Sequence, residues 1–271
     1  MIPFLLIGGN YMFPYIILFG KTITSYTIMV IIGILMVGWF CLKQANKHQM
    51  DENEVICILL AVAIGIFLGG HLLYGIVNIK MFIHFITNIN KVTSFSMLVI
   101  CIHEIFGGSV FYGGLLGGLL TGYLYTKRKE MPFFKYSYPF LPAIPLFHMF
   151  GRIGCFLSGC CFGIPSSIGF LYKNPLILGS AGITRFPVQL LEACYNGILF
   201  IVLYQLQKKN KYQNTMLFIY LWLYALARFF IEFLRGDTYR GYLGIFSTSQ
   251  IISIIILTFV IVYIPKINNH K

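Results

Sequence analysis

Long apolar stretches dominate the pattern of hydrophobic and polar positions along the chain. An α-helix needs about 20 mainly apolar residues to cross the hydrocarbon core of a bilayer. Seven stretches approach that length, and they lie near residues 24–42, 55–77, 107–125, 138–157, 188–206, 215–234 and 249–265. The pattern predicts an all-α, polytopic membrane protein of about seven transmembrane helices, forming a single integral membrane domain over residues 1–271.

Several segments modify this pattern. Prolines at 139, 142 and 145 predict that the fourth span starts kinked or unwound. Residues 81–106 are of mixed polarity and are compatible with a half-buried arm at the outer surface. The N-terminal stretch MIPFLLIGGNYMFPYIILFGK lacks a basic region and a small-residue cleavage site, so we expect a membrane-surface segment rather than a signal peptide or a full span. Repeated glycines between 107 and 122 predict close helix packing.

Composition agrees with membrane insertion. The chain is 58% hydrophobic and only 10% charged, whereas soluble domains are roughly one quarter charged. The net charge of +12 is expected mainly in cytoplasmic loops that face anionic lipid. Nucleic-acid binding is not expected, because no basic run is long enough to follow a phosphate backbone. The seven scattered cysteines do not indicate the disulfide framework of a secreted protein.

Ionisable residues within the predicted spans are the candidate functional groups, since charge is costly in lipid. In YALARFFIEFLR, Tyr224, Arg228 and Glu232 are spaced four residues apart, and Arg235 follows three residues later. All four are therefore expected on one helix face. One acid against two arginines leaves a cation for an anionic ligand, and a guanidinium suits phosphate. An internal ion pair between Arg228 and Glu232 is the alternative.

A second polar set lies in the fourth and fifth spans. Arg152, in HMFGRIGCFLSGCCFG, has no acid near it in sequence, so it either extends to the interface or binds an external anion. His148 would share its helix face, although a lone histidine is more often simply hydrogen-bonded. Gln189 and Glu192 share a face at the start of the fifth span, where capping and dipole compensation is the simpler account of Glu192. The arginines together predict a lipid-accessible cavity that binds a phospholipid headgroup.

In their order along the chain, these motifs resemble the bacterial prolipoprotein diacylglyceryl transferase family. The similar segments cover nearly the whole chain and read FPYIILFGKTITSYTIMVIIGI, YGGLLGG, GRIGCFLSGCCFG, RFPVQLLEA and YALARFFIEFLR. The resemblance implies an enzyme that transfers the diacylglyceryl group of phosphatidylglycerol to the lipobox cysteine thiol of a prolipoprotein, forming a thioether and releasing glycerol phosphate. It implies a location in the bacterial cytoplasmic membrane, and no cofactor or metal is expected.

The resemblance also implies roles for individual residues. Catalytic roles fall on Tyr26, Tyr112, Arg152, Arg228 and Glu232, and substrate-binding roles fall on Arg152, Arg228, Tyr224, Arg235, Gly113, Gly114, Gln189 and Cys155. The chain departs from the family pattern at three positions, where Tyr112 replaces a histidine, Cys155 an asparagine and Cys160 a glutamate. Tyrosine is a poor base at neutral pH, so the Tyr112 hydroxyl is expected to donate a hydrogen bond to the phosphate or the sulfur. Packing among glycines is the alternative role of Tyr112.

The cysteines of the Arg152 motif admit other interpretations. Their C-x4-C-C spacing is not a standard zinc or iron–sulfur spacing, and Cys160 and Cys161 would point different ways on a helix, so metal binding is not expected. A disulfide such as Cys155 with Cys160 is conceivable at an oxidising face, and small residues facing a lipid cavity are the simplest account. The alternative functions are a paralogous phospholipid-binding protein with a different acceptor, non-enzymatic lipid binding or flipping, and a thiol-redox role.

The distribution of lysine and arginine between loops predicts the orientation. With the N-terminus outside, eleven fall in inside segments: Lys43, Lys47, Lys127, Arg128, Lys129, Lys135, Lys208, Lys209, Lys211, Lys266 and Lys271. Seven fall in outside segments: Lys21, Lys80, Lys91, Lys173, Arg185, Arg235 and Arg240. The bias predicts an N-terminus outside, a C-terminus in the cytoplasm and the GCFLSGCC stretch at the outer face.

This orientation is testable with a reporter fused after Lys271. A reporter that is active only in the cytoplasm should be active there, and one that is active only outside the membrane should be silent. Activity of the outside reporter at that fusion point would overturn the predicted topology.

Overall fold

The computed structural model describes residues 14–18, 21–171, 182–237 and 241–268, and most of them are helical. The helices are α1 (Ser25–Lys47), α2 (Glu52–Val77), α3 (Ile79–Thr87), α4 (Phe95–Phe106), α5 (Phe111–Arg128), α6 (Phe133–Ser137), α7 (Ala143–Ser158), α8 (Val188–Lys208), α9 (Met216–Ile231) and α10 (Thr248–Asn268). Three antiparallel strand pairs connect them: β1 (Tyr15–Leu18) with β2 (Lys21–Thr24), β3 (Pro165–Leu171) with β4 (Thr184–Arg185), and β5 (Tyr242–Leu243) with β6 (Phe246–Ser247). Most of the expected N-terminal surface segment, residues 1–13, lies outside the described residues, as do Lys173, Arg240 and Lys271.

The predicted polytopic helical membrane fold is confirmed, although the count of seven spans is approximate. Helices α1, α2 and α8, and α9 with its short 3-10 extension, are each long and apolar enough to cross a bilayer. Two bent helix pairs have the length and composition for further spans: α4 and α5 meet at 91°, and the 133–140 segment meets α7 at 41°. The second break lies at the prolines, as predicted, and Pro142 is the N-cap of α7. The seventh stretch corresponds to α10, whose apolar part Thr248–Tyr263 is shorter.

The segment 81–106 folds into short helices rather than a span. It contains most of α3, a 3-10 turn at Ile89–Lys91 and the whole of α4. Phe95, at the start of α4, is 80% exposed, and the 91° bend carries the chain from α4 into α5. This geometry suits an arm across the end of the bundle, and its position at the outer face stays a prediction.

Glycines bring α2 and α5 into backbone contact, as their spacing predicted. A Cβ atom added to Gly113 would collide with the carbonyl oxygen of Gly69, and one added to Gly117 would collide with that of Gly65. Only a residue without a side chain permits this approach. Gly113 therefore faces α2, where it serves helix packing, and its substrate-binding role stays a prediction.

The interior of the bundle is aromatic and aliphatic, and the outer surface of the helices is apolar as well. The largest core cluster includes Tyr112, Tyr220 and Tyr224, all of which are buried. Large apolar side chains such as Leu35 and Phe67 are about two-thirds exposed, at 67% and 64%. Such a surface is stable only against lipid, because a soluble protein rarely exposes large continuous apolar patches.

The two ends of the bundle differ in character. At one end, Lys129 pairs with Glu54 at 3.2 Å, and Gln207 donates a hydrogen bond to Gln44 at 3.2 Å, so the ends of α5, α1 and α8 meet the start of α2. At the opposite end, α1 and α8 begin and α7 and α9 finish. This second end holds the buried charges.

Candidate functional site

The arginines singled out from the sequence converge at the junction of three helices. Arg152 lies in the second half of α7, Glu192 in the first turns of α8 and Arg228 in the last turn of α9. Helices α7 and α8 pack directly against each other. Arg152 and Arg228 are only 7% and 6% exposed, so both charges are held inside the protein and require compensation.

Glu192 supplies that compensation as a shared carboxylate. Its Oε2 lies 2.5 Å from Arg152 Nε, and its Oε1 lies 2.9 Å from Arg228 Nη1. The same Oε1 lies 3.8 Å from Arg235 Nη1. One buried carboxylate, 3% exposed, thus links α7, α8 and the segment after α9. The capping account of Glu192 is therefore wrong, since its carboxylate points into the arginine cluster.

The interpretation of the α9 motif is partly correct. Arg228 pairs with Glu232 at 2.7 Å, in agreement with the alternative interpretation of their four-residue spacing. Helix α9 ends at Ile231, however, and Arg235 lies in extended chain beyond a 3-10 turn, so the four residues do not share one helix face. The expectation that this motif leaves one cation without an acid is also wrong. Asp237 supplies a second acid, and Arg235 forms a two-pronged pair with it at 3.0 and 2.8 Å.

Arg185 adds a further cation beside this cluster. Its guanidinium lies 4.2 Å from the ring centre of Phe162 and donates to the carbonyl oxygen of Gly163 at 3.2 Å. Arg185 also lies close to the segment after α9, because its Nη1 is 3.1 Å from the position that a Cβ atom on Gly236 would take. Among the described residues, the cluster holds four guanidinium groups and three carboxylates, from Arg152, Arg185, Arg228 and Arg235 and from Glu192, Glu232 and Asp237.

An aromatic layer covers the cluster. His148 accepts a hydrogen bond from Arg152 Nε at 3.1 Å through its Nε2 and stacks on Phe111 with ring centres 3.8 Å apart. Its ring also lies 5.4 Å from that of Tyr224. His148 is only 5% exposed, so a buried side chain holds the Arg152 guanidinium in its orientation. The sequence placed His148 on this face without showing that contact.

Tyr112 is linked to the cluster through serines rather than directly. Its hydroxyl lies 2.6 Å from Ser253 Oγ, which itself donates to the carbonyl oxygen of Ser249 at 2.8 Å, so Tyr112 is the donor. Ser249 Oγ accepts from Arg228 Nη2 at 3.2 Å. The Tyr112 ring packs edge-on against Tyr224. The hydroxyl therefore supports the contact between α10 and Arg228, and its direct action on a substrate stays a prediction.

The other predicted site residues surround the end of α7. Tyr26 is 43% exposed at the start of α1, where its backbone N–H donates to Ser158 Oγ at 3.0 Å. Gln189 is fully buried and donates to the carbonyl oxygen of Cys160 at 2.8 Å. Cys155 is buried at 8% exposure. These residues frame the end of the bundle at which the arginines lie.

Comparison with known proteins gives the family of the chain. The family model described as prolipoprotein diacylglyceryl transferase matches residues 14–265. The chain belongs to the prolipoprotein diacylglyceryl transferase family. It is 34% identical over 239 residues to the phosphatidylglycerol–prolipoprotein diacylglyceryl transferase of Clostridium tetani, covering 88% of this chain and 90% of that protein. It is 32% identical over 242 residues to such a transferase from Clostridium perfringens, covering 89% of each chain.

The sequence analysis did not assign two acids, Glu192 and Asp237, to the site. Glu192 is the acidic residue of α8, within a predicted span, and such intramembrane acids are functional candidates by default. Asp237 lies two residues after Arg235 and beyond the predicted span, where helical spacing gives no information about side-chain contacts. Both pairings join segments that are distant in sequence or irregular in backbone, which periodicity does not describe.

The shared carboxylate predicts a large stability effect of Glu192→Gln, which keeps the shape and removes the charge. Breaking a buried ion pair typically costs about 3–5 kcal/mol, so the midpoint of thermal unfolding in detergent should fall by roughly 5–10 °C. Anionic lipid should recover part of this loss better than zwitterionic lipid, because it neutralises the freed arginines.

The matched control is Glu54→Gln, which removes the carboxylate of the partly exposed pair with Lys129 at the other end of the bundle. That change should alter stability by less than about 1 kcal/mol. Equal unfolding midpoints for the two variants would contradict the assignment of Glu192 as the shared counter-ion.

Proposed function

We propose that this chain transfers the diacylglyceryl group of phosphatidylglycerol to the cysteine thiol of a prolipoprotein lipobox. The observation that carries the proposal is the buried cluster in which Arg152, Arg228 and Arg235 surround Glu192 at the end of the bundle. Membership of the family supports the same reaction, because relatives that cover most of the chain are phosphatidylglycerol–prolipoprotein diacylglyceryl transferases.

The donor headgroup matches the cluster in charge. A phosphodiester carries one negative charge, and the described part of the cluster is rich in buried guanidinium groups, from Arg152, Arg185, Arg228 and Arg235. A guanidinium presents its N–H groups in a fork that fits two phosphate oxygens. In a site excluded from water, this attraction is much stronger than at a surface. Glu192 and Glu232 hold the forks in place before the lipid arrives.

The chemistry is a displacement at a glyceryl carbon. The sulfur of the acceptor forms a C–S bond as the C–O bond to the phosphate breaks, and the electron pair of that bond leaves with glycerol phosphate. The thiol proton goes to water or to the departing phosphate. Negative charge grows on the leaving oxygen, and Arg152 and Arg228 are preorganised to stabilise it. Glu232 orients Arg228 through their contact at 2.7 Å.

The bundle ends give a reason for the proposed orientation. Lys47, Lys129 and Lys208 lie at helix ends opposite the arginine cluster. Basic residues prefer the cytoplasmic side, so this end faces the cytoplasm and the arginine cluster faces the outer leaflet. The proposal therefore places the N-terminus outside and the C-terminus inside a bacterial cytoplasmic membrane. A secreted prolipoprotein would present its lipobox on that outer side.

A second candidate function is phospholipid binding without transfer. The replacement of the family histidine by Tyr112 favours it, because the Tyr112 hydroxyl already donates to Ser253 and is not a base at neutral pH. The two functions share the arginine cluster and differ only in whether a C–S bond forms. A measurement of the product separates them.

The direct test supplies the purified protein with phosphatidylglycerol and a lipobox peptide. Transfer should increase the peptide mass by one diacylglyceryl group. Arg152→Lys keeps the charge and removes the fork, so it should lower the rate by about 10²–10³ at a normal protein level. Arg128→Lys, an exposed residue at the other end, is the matched control and should leave the rate unchanged. Bound lipid without a mass gain would instead support the binding function.

Tyr112→Phe separates a substrate contact from a positioning role. If the hydroxyl acts through Ser253, then Tyr112→Phe and Ser253→Ala should slow transfer to a similar and modest extent, less than about tenfold. If it donates directly to the phosphate or the sulfur, Tyr112→Phe alone should cost about 10²–10³ in rate. Equal rates in Tyr112→Phe and the parent protein would remove the hydroxyl from the mechanism.

A further inference from the structure

Three cysteine thiols converge beside the arginine cluster. The sulfur atoms of Cys155, Cys160 and Cys161 all lie within 4.8 Å of one another, and all three cysteines are free thiols. Cys155 is buried, whereas Cys160 and Cys161 are partly exposed. One cysteine of the cluster is therefore shielded by the protein, and the other two remain partly accessible.

The convergence depends on how α7 ends. The helix finishes at Ser158, and Gly159 takes the left-handed conformation with φ of 73°. Cys161 is also left-handed, with φ of 54°, which is uncommon for a residue other than glycine. The expectation that Cys160 and Cys161 diverge on a helix is therefore wrong, because both lie in a turn that folds back towards Cys155. A hydrogen bond from the Cys160 N–H to the carbonyl oxygen of Cys155 at 3.1 Å fixes this turn.

This arrangement meets the requirements of a thiophilic metal ion. Zinc bonds thiolate sulfur at about 2.3 Å in tetrahedral geometry, which separates the sulfurs by about 3.8 Å. Sulfurs already within 4.8 Å reach that spacing by small side-chain rotations. Three protein ligands leave the fourth position of the metal open, as in catalytic zinc sites.

The surrounding charges favour the bound form. Zinc with three thiolates carries one net negative charge. Arg152 lies three residues before Cys155 in α7 and shares its helix face, and Arg152 and Arg235 are both near enough to Cys161 to stabilise negative charge there. Gln189 donates to the carbonyl oxygen of Cys160 at 2.8 Å and holds the turn from α8. These contacts keep the three sulfurs together before the metal binds.

We propose that Cys155, Cys160 and Cys161 form a zinc site whose open position binds the acceptor thiol of the transfer reaction. The role in transfer rests on the proposed function, whereas the metal site does not. The acceptor thiol displaces metal-bound water, releases its proton to water and binds as a thiolate. Its sulfur then forms the C–S bond as glycerol phosphate leaves, and the neutral thioether dissociates from the metal. Zinc would thus activate the thiol in a chain that has Tyr112 at the histidine position.

Metal binding is tested on the full chain, purified in detergent under reducing and anaerobic conditions and stripped with a chelator. One equivalent of Zn²⁺ should bind, and Co²⁺ used as a probe should give thiolate-to-metal absorption bands. Cys160→Ser and Cys161→Ser should each lower the affinity roughly 100-fold or more, since changes outside the ligands already cost 10–100-fold. Cys57→Ser, an exposed cysteine on α2, is the matched control and should bind like the parent.

The absence of thiolate bands, or equal metal affinity in Cys161→Ser and the parent, would overturn the zinc site. A disulfide between two of the three cysteines in anaerobically purified protein would overturn it as well. Transfer that falls on chelation and returns with Zn²⁺ supports the role in activation. Full transfer by metal-free protein overturns that role and leaves the proposed function intact, whereas metal binding with no transfer overturns the proposed function and leaves the metal site intact.

Discussion

The site depends on one constraint, the need to neutralise several buried arginines with few acids. Glu192 meets it by sharing its two oxygens between Arg152, at 2.5 Å, and Arg228, at 2.9 Å. A buried cation that loses its partner is strongly destabilising, so these contacts also fix how α7, α8 and α9 meet. The ion pairs are therefore a structural junction, and the same arginines form the proposed phosphate site.

The same constraint explains why the charges lie at the end of the bundle. Helix surfaces that face lipid carry apolar side chains, and exposed residues such as Leu35 and Phe67 would not tolerate a charge among them. The broken span at α7 and the short strands β3 and β4 provide irregular backbone next to the arginines. Irregular backbone is tolerated at membrane depth only where it is buried in protein or lines a cavity.

An aromatic layer and a turn that carries three thiols lie beside these ion pairs. His148 orients Arg152, and Tyr112 supports Arg228 through Ser253 and Ser249. Among the described residues, the hydrogen bonds and ring contacts of His148 and Tyr112 do not involve the three cysteines. The proposed activation of an incoming thiol is thus separate from the proposed binding of phosphate, and the cysteines at the end of α7 are the groups proposed for it.

The sequence alone determined the polytopic helical fold, the break at the prolines and the close packing at the glycines, and it left the pairing of Arg228 with Glu232 as an alternative. Each of these follows from local hydrophobicity, backbone chemistry or helical periodicity. The tertiary structure decided that Glu192 is the shared counter-ion, that Asp237 pairs with Arg235 and that three thiols converge after Ser158. These features depend on helices that meet across long sequence separations and on a left-handed turn at Cys161. Hydrophobic periodicity is a local property of the chain, so it predicts neither the contacts between distant helices nor the turn.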